Sequence, residues 1–189
     1  MMNIAELIED DIACVREYCT RLISFADASS KDFVPPSSKR PGTVEYLPIS
    51  VAYLVRPDLI SNIYALADFR LKTLCEHHHG SGKAPETFQQ FRKRDKSKTS
   101  DLARYRKYFQ SVAQLDLSPL LPSFNHLDLM RRIRNSYMHH GGHADEETSR
   151  LVAGVTGVSM SSSVLIVSDA YIHESLEHAA RILLHIAQA

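Results

Sequence analysis

Apolar residues recur at helical spacing in five stretches of the chain. Ile4, Leu7, Ile8, Ile12, Val15, Cys19, Leu22, Ile23 and Ala26 form one stripe of a helix over about 3–27. A second helical region spans 49–79, where Leu59, Ile60, Ile63, Leu66, Ala67, Leu71 and Leu74 share the core side. Pro57 lies inside it, so a kink or a restart is expected there. Ser100 or Asp101 opens a third helix, with Leu102, Tyr105, Phe109 and Val112 facing inward. Ser123 is the expected N-cap of a fourth, over 124–140, ended by Gly141-Gly142. In "LVAGVTGVSMSSSVLIVSD" the period changes to that of a short hairpin. Ser168 or Asp169 then caps a last helix striped by Ile172, Leu176, Ala179, Leu183 and Ile186.

Between these elements lie "SSKDFVPPSSKRPGTVEY", rich in proline and hydroxyls, and "SGKAPETFQQFRKRDKSKTS", which reads as a loop or a short helix. The expected fold is therefore mainly all-α, an antiparallel bundle of four to five helices with a small β-hairpin before the last. It fills one domain over 1–189, with a loop at 28–48 and a basic loop at 80–99 as insertions.

Charge changes this picture only locally. The 22 Lys/Arg balance 22 Asp/Glu, so nothing global points to a polyanion, although faces can still segregate charge. From Arg92 to Lys107 there are eight Lys/Arg and two Asp. Cys14, Cys19 and Cys75 form no C-x-x-C pair and read as reduced thiols of a cytoplasmic protein. The N-terminal stretch is acidic where a signal peptide would be basic. Leu151–Ser168 is uncharged but too rich in Ser and Gly for a membrane span, so no membrane partner is expected.

The chemistry concentrates in "RRIRNSYMHHGGH", residues 131–143. On a helix Arg131, Asn135 and His139 share one face. Arg134 lies about 100° round from Asn135. Spacing alone leaves two readings open, a solvated basic helix end that complements the dipole and a site that handles phosphate. Asp68 stands at the border of the 59–74 stripe beside Tyr64, and a partly buried carboxylate there needs a donor or a cation. His77-His78-His79 and His139-His140-x-x-His143 are not spaced for chelation, since adjacent helical side chains diverge. No H-E-x-x-H or cysteine cluster accompanies them. No metal and no cofactor is expected.

"IRNSYMHHGG" resembles the R-N-x-x-x-H signature of the HEPN superfamily (higher eukaryote and prokaryote nucleotide-binding domains), with Arg134, Asn135 and His139 in the three signature places. The context is similar too: a late helix, then a hairpin and a closing helix. "LISNIYALADFRLKTLCE" resembles the second core helix of these families, with Asp68 where glutamate is usual. The resemblance covers about residues 50–187. It implies a metal-independent endoribonuclease that dimerises through the signature helix, in a toxin–antitoxin or anti-phage setting with a cognate antitoxin as partner. Arg134 and His139 would be catalytic, Asn135 supporting and Asp68 positioning. Arg131, Arg104 and Lys107 would contact RNA. The tyrosine that follows the histidine by two residues in some of these toxins is Gly141 here. The alternative within the family is a non-catalytic module that binds RNA or a protein.

Overall fold

The computed structural model describes residues 3–32 and 51–189. Among them are seven helices: α1 (Ile4–Asp32), α2 (Val51–Gly80), α3 (Phe88–Arg94), α4 (Asp101–Ser111), α5 (Leu121–His140), α6 (Glu146–Val152) and α7 (Asp169–Gln188). An antiparallel hairpin, β1 (Val158–Ser161) and β2 (Val164–Val167), precedes α7. The fold is mainly all-α, as the patterning predicts. Of the loop expected at 28–48, residues 28–32 belong to α1 and the rest lie outside the described residues.

Cross-chain pairs fix the directions of the four long helices. Arg70 on α2 meets Asp11 on α1, and Arg56 meets Asp27 at 3.1 Å, so α1 and α2 are antiparallel. Arg56 also bonds Asp169 at 2.7 Å, and the buried His78 ring bonds the Ile186 carbonyl at 3.0 Å. Thus α2 and α7 run parallel. On α5, Ser123 meets His178 and His126 meets Ser175, each at 2.9 Å, so α5 is antiparallel to α7. The shared core holds Ile8 and Ile12 of α1, Leu59, Ile63 and Leu71 of α2, Leu127 and Ile133 of α5, and Leu176 and Leu183 of α7, all buried.

Local boundaries follow sequence chemistry except at four places. Pro57 neither breaks nor restarts α2, which is continuous through it. The segment around Phe88 folds into α3 because Thr87 and Gln90 make a reciprocal capping box and Phe88 and Phe91 have a core to enter. α5 begins at Leu121, not after Ser123: a 3-10 turn over Ser118–Leu120 runs straight into it, with proline in the first turn. Ser123 is then free to turn inward to His178. The seven-residue α6, capped by Asp145, was too short for its period to register in the sequence.

The end of α5 is held firmly. Gly141 takes the left-handed conformation (φ 59°) and stops the helix. The chain then runs beside β2, where the Leu165 N–H donates to the Gly142 carbonyl at 2.9 Å and the Ala144 N–H to the Ser163 carbonyl at 3.1 Å. The Tyr137 hydroxyl donates to the Leu165 carbonyl. The hairpin turn, Ser162-Ser163, has positive φ at both positions (47° and 68°), the backbone that matches strand twist.

Candidate active site

The candidate site lies where the second half of α5 passes α2 and α4. Three arginines leave this part of α5 and meet different fates. Arg131 pairs with Asp128 at 2.8 Å. Arg132 pairs with Asp128 at 3.2 Å and with Glu147 of α6 at 3.0 Å. Arg134 makes no ion pair among the described residues. Its guanidinium lies 5.6 Å from the Tyr64 ring centroid, and one terminal nitrogen is 3.4 Å from the Asn135 Oδ1. Its Nε is buried without a hydrogen-bond partner. The guanidinium is thus oriented by an aromatic face and an amide, with no carboxylate among the described residues in ion-pair contact.

Asp68 and Tyr64, one turn apart on α2, stand beside it. Burial raises the Asp68 carboxyl pKa, with the nearby Asp101 charge adding to the rise. The Tyr105 phenol on α4 opposes this by hydrogen bonding, and Arg134 opposes it through its field. The partner expected for Asp68 is therefore mainly Tyr105, with Arg134 as an electrostatic neighbour beyond ion-pair contact. Burial and the Asp68 charge push Tyr64 up to about 12, so both phenols stay protonated and Tyr64 faces Arg134 as a neutral ring.

His139 is exposed, one turn beyond Asn135 on the same face. Its ring makes an edge contact with His140, centroids 6.3 Å apart, and no hydrogen bond among the described residues. Met138 beside it is exposed as well.

A cleft of about 420 Å³ opens between α5 and the start of α4, lined by Lys98, Arg106, Arg131 and Arg132 with one carboxylate, Asp128. Ser100, Thr99 and Asn125 add neutral donors. Arg131 lines this cleft while paired with Asp128. The other two expected RNA contacts sit elsewhere. The Arg104 guanidinium is spent on Asp101 at 2.8 Å and the Ser97 carbonyl at 3.0 Å, holding the 95–100 linker onto α4. Lys107 bonds Asp95 at 2.6 Å. The sequence reading passed over Arg106 and Lys98, although Leu102, Tyr105 and Phe109 facing inward put Arg106 near the rim of α4.

The two histidine runs bring no ligands together. His78 is buried and fixed to α7, while His77 is exposed. Histidine clustering occurs instead at the other end of α5, where His126 meets Glu174 and His178 of α7. Burial, together with the neighbouring His178, holds His126 down to about 4; burial also lowers His178.

No known protein family, curated protein or solved structure matches this chain.

Proposed function

We propose that the chain is a metal-independent endoribonuclease of the HEPN type that cuts RNA at a site completed by a second copy. The observation that carries this reading is Arg134. Two arginines of the signature stretch are neutralised by Asp128 and Glu147, whereas Arg134, between them and His139, is oriented but has no ion pair among the described residues. A partly buried cation whose nearest carboxylate, Asp68, acts only through its field is incompletely compensated, and a phosphate bound there would answer the charge with bidentate geometry.

The chemistry uses no metal. His139 of one copy takes the proton from the RNA 2′-hydroxyl as the 2′-oxygen bonds phosphorus. Arg134 stabilises the charge gathering on the phosphorane oxygens. The bond from phosphorus to the 5′-oxygen then breaks, and His139 of the second copy supplies the proton to that oxygen. The products are a 2′,3′-cyclic phosphate and a 5′-hydroxyl. Asn135 accepts from Arg134 through its carbonyl oxygen, which leaves its NH₂ to meet a phosphate oxygen. Asp68 and Tyr64 keep Arg134 in place from behind. The cleft of Lys98, Arg106 and Arg131 guides the strand. Under this reading the partners are RNA, a second copy and a cognate antitoxin, in the cytoplasm.

The test is cleavage of a single-stranded RNA in EDTA, with the ends identified. Cyclic phosphate ends and a loss of at least about 100-fold in His139→Ala are expected. Equal cleavage by His139→Ala would refute the mechanism. One observation favours a second reading, RNA binding without cleavage: no carboxylate or carbonyl among the described residues fixes the His139 tautomer. The dimer would then bind the RNA intact, and Arg134→Ala would weaken binding only.

A further inference from the structure

We propose that His126, Glu174 and His178 form a binding site for a divalent ion of the zinc class, clasping the first half of α5 to α7. The three residues come from two helices whose packing is fixed by other contacts. Glu174 and His178 are one turn apart on α7 and so share a face, and His126 of α5 lies against it. Their ligand atoms all lie within 4.8 Å of one another. His178 Nε2 is 3.8 Å from a Glu174 carboxylate oxygen. A tetrahedral zinc with bonds of about 2.0–2.2 Å separates neighbouring ligand atoms by roughly 3.4 Å, so closing on an ion asks little movement of this pair.

The second ring of contacts matches what a metal-binding imidazole needs. The Ser123 hydroxyl holds Nδ1 of His178 at 2.9 Å, on the far side of the ring from Nε2. The Ser175 hydroxyl holds Nε2 of His126 at 2.9 Å. Both serines are buried, so these bonds set which nitrogen of each ring is left for an ion, as the groups behind zinc-binding histidines do. The two imidazoles lie 4.3 Å apart with planes 28° from parallel, so a rotation of the rings about their serine contacts brings the in-plane lone pairs onto a common ion. Glu174 is exposed, which gives an ion and a water access from solvent. Two imidazoles and one carboxylate make the donor set of an open zinc site, with a fourth position for water.

This site is separate from the proposed nuclease centre. His126 is eight residues before Arg134, about 12 Å along the helix and about 80° round it. An ion there would not touch RNA chemistry; it would brace the helix that carries Arg134.

The test uses the full chain stripped with EDTA and dialysed, titrated with zinc by calorimetry and with cobalt by visible absorption. One ion per chain and the intense visible bands of tetrahedral cobalt are expected. His126→Gln and His178→Gln should each weaken zinc at least about tenfold, and Ser123→Ala roughly 10–100-fold. Glu174→Gln, on an exposed side chain that folding does not require, should also weaken it while far-UV circular dichroism stays unchanged. His77→Ala should bind as the parent does. The proposal is overturned if the parent binds no zinc. It is equally overturned if Glu174→Gln and both histidine variants bind as tightly as the parent. Either result leaves RNA cleavage, measured in EDTA, to stand or fall separately.

Discussion

The two ends of α5 carry similar residue types and behave differently. At its first end Ser123 and His126 point into α7, where burial lowers the pKa of both His126 and His178 and serine hydroxyls satisfy one nitrogen of each. At its last end Arg134 touches only the Asn135 amide and the Tyr64 ring, and His139 is exposed, with no ion pair to either among the described residues. The difference comes from what faces each end. α7 offers the first end a hydroxyl, Ser175, for His126 and an imidazole, His178, for Ser123. The last end meets α2 through one neutral phenol and a carboxylate that Tyr105 already engages. Polar groups that fold against partners contribute stability, and those left free are available to a ligand.

The largest effects should fall on function at the last end. Arg134→Ala should lower RNA cleavage by about 100–1,000-fold, the usual cost of losing a group that stabilises developing charge. Its thermal midpoint should stay within a few degrees of the parent's. A collapse of folding in that variant would break the contrast drawn here.

The next effect should fall on stability at the first end. Ser123→Ala in the metal-free protein leaves His178 Nδ1 without its donor or acceptor and should cost about 1–2 kcal/mol. That lowers the melting temperature by about 2–4 °C per kcal/mol for a chain of this size. RNA cleavage should be unchanged. If cleavage falls with stability, the two ends are coupled more tightly than their separate contacts imply.

Acid should separate the ends further. The folded protein holds His126 near 4, whereas an unfolded histidine titrates near ~6.5. The unfolded chain therefore binds the extra proton between those values. Stability from this group is fully present above about pH 6.5 and is lost as pH falls toward 4. Urea midpoints in EDTA should drop between pH 7 and pH 5, and His126→Gln should flatten that slope. A midpoint that does not change over this range would show that the ring is not buried as described.

The smallest expected effect concerns the cleft. Arg106→Ala should reduce the slope of log affinity for single-stranded RNA against log salt by about 0.7, one phosphate contact. Arg104→Ala should leave that slope unchanged, because its guanidinium is already engaged by Asp101 and Ser97.

Much of the fold was legible in the sequence because long helices write their period over many residues. The stripes of α1, α2 and α7 run largely where the pattern puts them, although Leu66 of α2 is only half-buried, and the Ser100 and Ser168 caps and the Gly141 stop are where expected. α6 was not legible, since seven residues carry barely two turns of pattern. The start of α5 was misread because Ser123 is chemically a good cap, yet Pro119 and Pro122 let the helix begin earlier and released that hydroxyl to His178. The candidate site was half legible. Arg131, Arg134, Asn135 and His139 could be placed on one stretch of helix by spacing. The local pairing was legible too, since Asp128 precedes Arg131 and Arg132 by three and four residues but Arg134 by six; the second partner of Arg132, Glu147 of α6, was not. Arg104 illustrates the same limit, since its partners depend on how the 95–100 linker folds back. The trio of His126, Glu174 and His178 is separated by about fifty residues in the chain, and only the antiparallel packing of α5 on α7 brings it together.

The account rests on Arg134 being the uncommitted cation of its stretch, and the most direct measurement compares it with its neighbour. Arg134→Ala and Arg132→Ala are assayed side by side on one single-stranded RNA in EDTA, with folding checked by circular dichroism. The account predicts a loss of at least about 100-fold for Arg134→Ala and less than about tenfold for Arg132→Ala, whose charge is already answered by Asp128 and Glu147. Equal losses in the two folded variants, or none in either, would contradict it.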